Sequence, residues 1–129
     1  MTRTYTFDYN SRFSPSAPFV DIHVYTQINP ENSQKVTLLV DSGADSTILP
    51  IQLLQEINAP MTRMATIRGI HGIRKSTRLY EVSIRIGDYT INCVEVASSR
   101  EPDQVVLGRD VLNYLVVTLD GPAGATILV

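Results

Sequence analysis

An apolar run, Val36-Thr37-Leu38-Leu39-Val40, ends in Asp41-Ser42-Gly43 and continues as Ala44-Asp45-Ser46-Thr47. Aliphatic and β-branched side chains in so short a run favour extended backbone. Asp, Ser and Gly in succession favour a turn. The chain is thereby committed to a strand that delivers a carboxylate, a hydroxyl and a glycine to the loop at its end. The nearly continuous apolarity predicts burial of this strand on both faces. No second Asp-Ser-Gly or Asp-Thr-Gly occurs in the chain.

The remaining signals are also mainly those of strands. Val20, Ile22 and Val24 alternate with Asp21, His23 and Tyr25, and Tyr80, Val82, Ile84 and Ile86 alternate with Glu81, Ser83 and Arg85. A period of two marks half-buried strands. Gly87-Asp88 turns the chain into a returning strand, Tyr89 to Val96. Its alternation slips between Cys93 and Val94, which predicts a bulge or a change of burial. Met64–Ile67 and Ile73–Ile86 are read as the arms of a further hairpin. Pro50 to Ile57 and Arg109 to Leu115 are spaced as two short helices. Ser11 to Pro18 is irregular. After a Gly-Pro turn, Ala125 to Val129 reads as a terminal strand, and its apolar run suggests an edge that another chain covers. Many short strands favour a closed or sandwiched sheet.

Composition removes several classes. The chain has 129 residues, a single-domain length, with 43% hydrophobic and 19% charged residues, which excludes disorder. The net charge of −2 provides no global attraction for nucleic acid or anionic membrane. No apolar run reaches the roughly 20 residues that span a bilayer, and no apolar leader is visible. The one cysteine, Cys93, allows no intramolecular disulfide. These features set the expectation of a cytoplasmic protein without a membrane partner. His23, His71 and Cys93 have no metal-binding spacing, and no phosphate-binding glycine loop occurs, so neither metal nor cofactor is expected.

On its own, Asp41-Ser42-Gly43 reads as a turn. As chemistry, one carboxylate can activate a water while a second, protonated carboxyl polarises a carbonyl group. Two carboxyls that close cannot both ionise, so they share a proton. One copy per chain then requires two chains.

The context points the same way. Leu38 to Leu49 resembles the catalytic segment of the retropepsins, the retroviral-type aspartic proteases, whose pattern is apolar-apolar-x-Asp-Thr/Ser-Gly-Ala-x-x-Thr/Ser-x-apolar. Val105-Val106-Leu107-Gly108-Arg109-Asp110-Val111-Leu112 is similar to the segment preceding that family's C-terminal helix. Arg68-Gly69-Ile70-His71-Gly72-Ile73 stands where the family has its glycine-rich flap tip. His71 departs from the small residue usual there. The resemblance runs from residue 19 to 129 and leaves residues 1–18 as an N-terminal segment of uncertain order.

The resemblance implies a mainly β, closed β-barrel subunit with one or two short helices and a flap hairpin. It implies a homodimeric aspartic endopeptidase acting on peptides or proteins, with no nucleic acid partner. Asp41 would be catalytic, paired with its copy. Ser42 would bond across the pair, and Gly43 would bond substrate backbone. Ala44, Asp45, Gly69, Ile70, His71, Gly72, Ile73 and Val106 would line the substrate cleft, and Arg109 would brace Asp45. The alternative is a non-catalytic dimerisation or peptide-binding module on the same fold. Length and the lack of a second Asp-Thr/Ser-Gly exclude a two-lobed pepsin-like enzyme. The basic stretch Arg63, Arg68, Arg74, Lys75 and Arg78 reads as a solvated face or as a preference for acidic peptides. It lacks the aromatic interleaving of a nucleic-acid site.

Overall fold

The computed structural model describes residues 3–68, 72 and 74–129. Gly69, Ile70, His71 and Ile73 of the expected flap tip lie outside the described residues. The strands are β1 (Tyr5–Asp8), β2 (Phe19–Tyr25), β3 (Gln34–Val40), β4 (Ile48–Pro50), β5 (Met61–Arg68), β6 (Arg74–Ile86), β7 (Tyr89–Ser99), β8 (Val106–Leu107), β9 (Val117–Asp120) and β10 (Ala125–Leu128). The helices are α1 (Ile51–Glu56) and α2 (Arg109–Leu112). The fold is mainly β with two short helices, as the sequence predicts.

Seven strands form one sheet in the order β2-β3-β8-β4-β7-β6-β5. It closes on itself where His23, Val24 and Tyr25 of β2 pair with Arg85, Ile84 and Ser83 of β6. β5 stays outside the ring, carried by β6. The alternating residues face inward: Val20, Ile22, Val24, Val82, Ile84 and Ile86 are all at most 2% exposed. Leu38, Leu49, Leu54, Val96, Leu107 and Val111 complete the same core. Leu53, Leu54 and Ile57 seat α1 on it, as their spacing predicts. α2 stops at Leu112, shorter than expected, and Tyr114 and Leu115 continue as turns closed by bonds to the Val111 and Leu112 carbonyls.

Three expectations take a different or sharper form. β3 is not buried on both faces. Only Leu38 is fully buried; Val36 and Val40, on the same face, are half-buried against the core, and Leu39, on the opposite face, is half-buried as well. The expected slip near Cys93 is a bulge. The β6–β7 register shifts between Val82 and Ile84, and Cys93 takes a left-handed φ of 59°. Finally, β10 is not an open edge. It lies in the middle of a second sheet, β1-β10-β9, so both its edges are already hydrogen-bonded. Burying the Ala125–Leu128 run therefore needs no second chain, and β1 and β9 are the edges of that sheet instead. The ring of Tyr5 in β1 lies over Gly87 of the β6–β7 turn, so closely that a Cβ there would come within 2.4 Å of it.

Candidate active site

The Asp41 loop is held from three sides. The Asp41 N–H donates to the Leu107 carbonyl at 3.0 Å, so the loop starts locked to β8. The Ala44 N–H returns to the Asp41 carbonyl at 3.2 Å, and the Ala44 carbonyl accepts from the Arg109 N–H at 2.9 Å. The Arg109 guanidinium donates to the Ser42 carbonyl at 2.8 Å through Nη1 and to the Asp45 carboxylate through Nη2. The Asp45–Arg109 pair anticipated from the sequence is thus formed, although the Asp45 side chain is 90% exposed. Its contribution is mainly orientation, because water screens so open a pair.

Within the loop, the Gly43 N–H donates to Asp41 Oδ1 at 2.9 Å. A Cβ on Gly43 would come within 3.1 Å of that same oxygen, so glycine lets the amide approach the carboxylate. Oδ2 of Asp41 takes no hydrogen bond among the described residues. Ser42 and Gly43 are exposed and Asp41 is half-exposed. One oxygen is fixed and the other is left open to a ligand.

Beneath this loop lies a network that the sequence reading passed over. Thr47 is fully buried. Its N–H and hydroxyl donate to the Asp110 carboxylate, at 2.9–3.0 Å and 2.7 Å, and its Oγ1 accepts the Gly108 N–H at 3.0 Å. Its carbonyl accepts from the Ala97 N–H. One side chain and its backbone thus join β4, β7, β8 and α2. Gly108 has no room for a side chain, since a Cβ would lie 2.6 Å from the Ser46 carbonyl carbon. The pairing of a threonine six residues after Asp41 with an acid beside Arg109 was the available signal, but only the fold brings the two together.

Of the other expected cleft residues, Val106 sits in β8 between Leu39 and Ile48 and is 8% exposed. Gly72 is exposed with φ of 73°, a conformation that favours glycine. Two clefts among the described residues lie elsewhere. One, of about 530 Å³, is between α1 and residues 99–105; the other, of about 390 Å³, is beside Thr26–Asn29 and Cys93. Neither is lined by Asp41.

The β5–β6 hairpin is clamped at its base by Glu95 of β7. The Thr62 hydroxyl donates to Oε2 at 2.6 Å and Arg63 Nε to the same oxygen at 3.2 Å. The Thr62 hydrogen bond, followed by Arg63, holds the Glu95 carboxyl below its ordinary value, against a smaller opposing effect of desolvation. Because the folded value is depressed, this contribution is complete above the ordinary glutamate range and is lost as pH falls through the depressed value. Thermal melts of wild type and Glu95→Gln should separate toward neutral pH, with wild type the more stable, and converge in acid. A constant separation at every pH would show that the carboxylate charge does not hold the clamp.

A closed β ring with a single braced Asp-Ser-Gly loop is the architecture of a retropepsin-like subunit. Residues 26–114 match the model of the family described as "gag-polyprotein putative aspartyl protease", and the chain belongs to this retropepsin-like aspartyl protease family. Among solved structures, the chain is similar to a retropepsin-like aspartic protease from Rickettsia conorii, with a TM-score of 0.61 and 16% identity over 99% of this chain and 93% of that one. It is also similar to EIAV protease complexed with the inhibitor HBY-793, with a TM-score of 0.58 and 22% identity over 76% of this chain and 86% of that one. At these identities the likeness concerns the fold. A comparison with curated proteins found no match.

Proposed function

We propose that the chain is one half of a homodimeric aspartic endopeptidase, with a dyad formed by Asp41 and its copy. The observation that carries this reading is the Asp41 carboxylate, fixed at Oδ1 by the Gly43 amide and open at Oδ2 on an exposed, braced loop. One ionised Asp41 would take a proton from water as its oxygen attacks the peptide carbonyl carbon. The other, protonated, would polarise the carbonyl oxygen and then help return a proton to the leaving nitrogen. Family membership supports the same reading. The half-buried Leu39, paired with Val106, would become a wall of a cleft completed by the partner.

The second copy fits along β9 rather than β10. β9 ends its sheet, and Tyr114, Val116 and Leu119 beside it are 68%, 64% and 54% exposed. An open strand edge next to exposed apolar side chains invites pairing.

Dilution tests this reading. Cleavage of an unfolded protein substrate, expressed per chain, should fall as the concentration drops through the dimer dissociation constant, in step with dimer mass. A hydroxyl-bearing peptide that mimics the tetrahedral intermediate should inhibit it. A chain that is monomeric at micromolar concentration and indifferent to such a compound would instead be a peptide-binding module.

A further inference from the structure

We infer that Glu95 is a positioning residue whose carboxylate, strapped across β6 to Thr62 and Arg63, sets how the β5–β6 hairpin stands over bound substrate; this rests on the endopeptidase reading. β5 ends its sheet and pairs with β6 alone. β6 in turn outruns the ring. β7 pairs with its residues 79–86 and β2 with its residues 83–85, so residues 74–78 pair only with β5. β6 has its own ties to β7, because the Thr77 hydroxyl donates to the Ser98 carbonyl at 3.1 Å and the Ser98 hydroxyl to the Arg78 carbonyl at 3.4 Å. Among the described residues, Glu95 is the one residue of β7 that hydrogen-bonds to β5. Its bonds pass over β6, from the third strand of the sheet to the outermost. The register slip between Met61 and Arg63 makes this possible. It leaves Thr62 out of the ladder, with its hydroxyl 3.4 Å from the Leu79 carbonyl and 2.6 Å from Glu95 Oε2.

The strap lies on the face that leads to Asp41. Directly paired residues run from Leu39, two residues before Asp41, through Val106, Ile48, Ala97 and Leu79 to Arg63. Paired residues share a face of the sheet, and the chain neighbours Leu38, Val96 and Tyr80 turn to the core on the other. Glu95 is two residues from Ala97, so it stands on the same face as this row, at the end away from the Asp41 loop. A peptide held against the row would meet the hairpin there. A hairpin loose at its base would have to be ordered at each binding event, and the strap orders it beforehand. The groups facing Glu95 are Thr62 and Arg63 from β5, Glu81 opposite it in β6, and Cys93 two residues along its own strand. Glu81 is a like charge that opposes the strap. The Thr62 hydrogen bond, followed by Arg63, still holds the Glu95 carboxyl below its ordinary value. The strap is therefore complete above the ordinary glutamate range and is lost as pH falls through the depressed value.

The test measures kcat and KM across pH for a peptide that the purified chain cleaves, in wild type and in Glu95→Gln, at a protein concentration above the dimer dissociation constant. Above the ordinary glutamate range Glu95→Gln should raise KM about threefold to fivefold, as expected of an exposed charge pair, with kcat unchanged within about twofold. The ratio of the two KM values should return to one in acid, where wild type has lost its strap as well. Titration of the Asp41 pair is common to both enzymes and cancels from the ratio. With Thr62→Val in both chains the ratio should return to one at a higher pH, because the donor that most lowers the Glu95 carboxyl is gone. Amide hydrogen exchange of residues 64–68 and 74–78 should quicken in Glu95→Gln near neutral pH, while that of residues 82–86 stays as in wild type. An unchanged KM near neutral pH would overturn the inference while leaving the endopeptidase reading intact. So would a KM ratio that stays raised at every pH, or exchange that quickens throughout the sheet. Wild-type cleavage no greater than that of Asp41→Asn would remove the endopeptidase reading itself, and the inference with it.

Discussion

Asp41→Asn is expected to remove turnover while leaving the dimer assembled. The substitution keeps the size of the side chain, and its carbonyl oxygen can still accept the Gly43 N–H that Oδ1 accepts at 2.9 Å. The amide cannot take a proton from water or share one with a second carboxyl, so the expected loss is about a thousandfold or more. The informative form of the experiment is a mixture. If wild-type and variant chains are equilibrated in equal amounts and pair at random, about one quarter of the dimers carry two carboxylates. Activity should then fall to about a quarter of that of the same total amount of wild type. A value of about one half would mean that each chain works alone. That result would sink the half-site reading even if the pure variant is inactive, because the open Oδ2 of Asp41 would then be completed within its own chain.

The sequence was most legible where local periodicity and burial agree. Val20 to Val24 and Tyr80 to Ile86 alternate because one face of each strand meets the core, and that pattern needs no knowledge of the neighbours. The bulge at Cys93 was legible for the same reason. β3 was misread because apolarity reports a need for burial and not what supplies it. Leu39 is apolar on the face of the strand turned away from Leu38 and the core, and within one chain it is only half-buried. β10 was misread in the opposite sense, since its cover comes from β1, more than a hundred residues away in sequence, and no local pattern announces such a pairing. At the site, the chemistry-bearing loop and its arginine brace were readable from residue type and spacing. The Thr47–Asp110 contact was not, because 63 residues separate its members.

That contact should dominate the stability of the site. Asp110→Ala is expected to cost about 3 kcal/mol, since it strands the Thr47 N–H and hydroxyl in a place that water does not reach. Asp110→Asn should cost about 1 kcal/mol, because a single carbonyl oxygen can replace Oδ1, which accepts from both Thr47 donors, while the amide nitrogen faces the Thr47 N–H where Oδ2 accepted it. Thr47→Val, which keeps the shape, should fall between them at about 2 kcal/mol, because it leaves the Gly108 N–H without its acceptor. Urea titrations of the three variants would give this order. The effect should also reach activity below the melting point. Gly108 follows Leu107, whose carbonyl holds the Asp41 N–H, and a loosened Gly108 lets the carboxylate wander from its partner. Asp110→Ala should therefore lower kcat at temperatures where it is still folded. If its stability instead lies within about 0.5 kcal/mol of wild type, the network is ornamental. The loop would then owe its position to Arg109 and to the β3–β8 pairing alone.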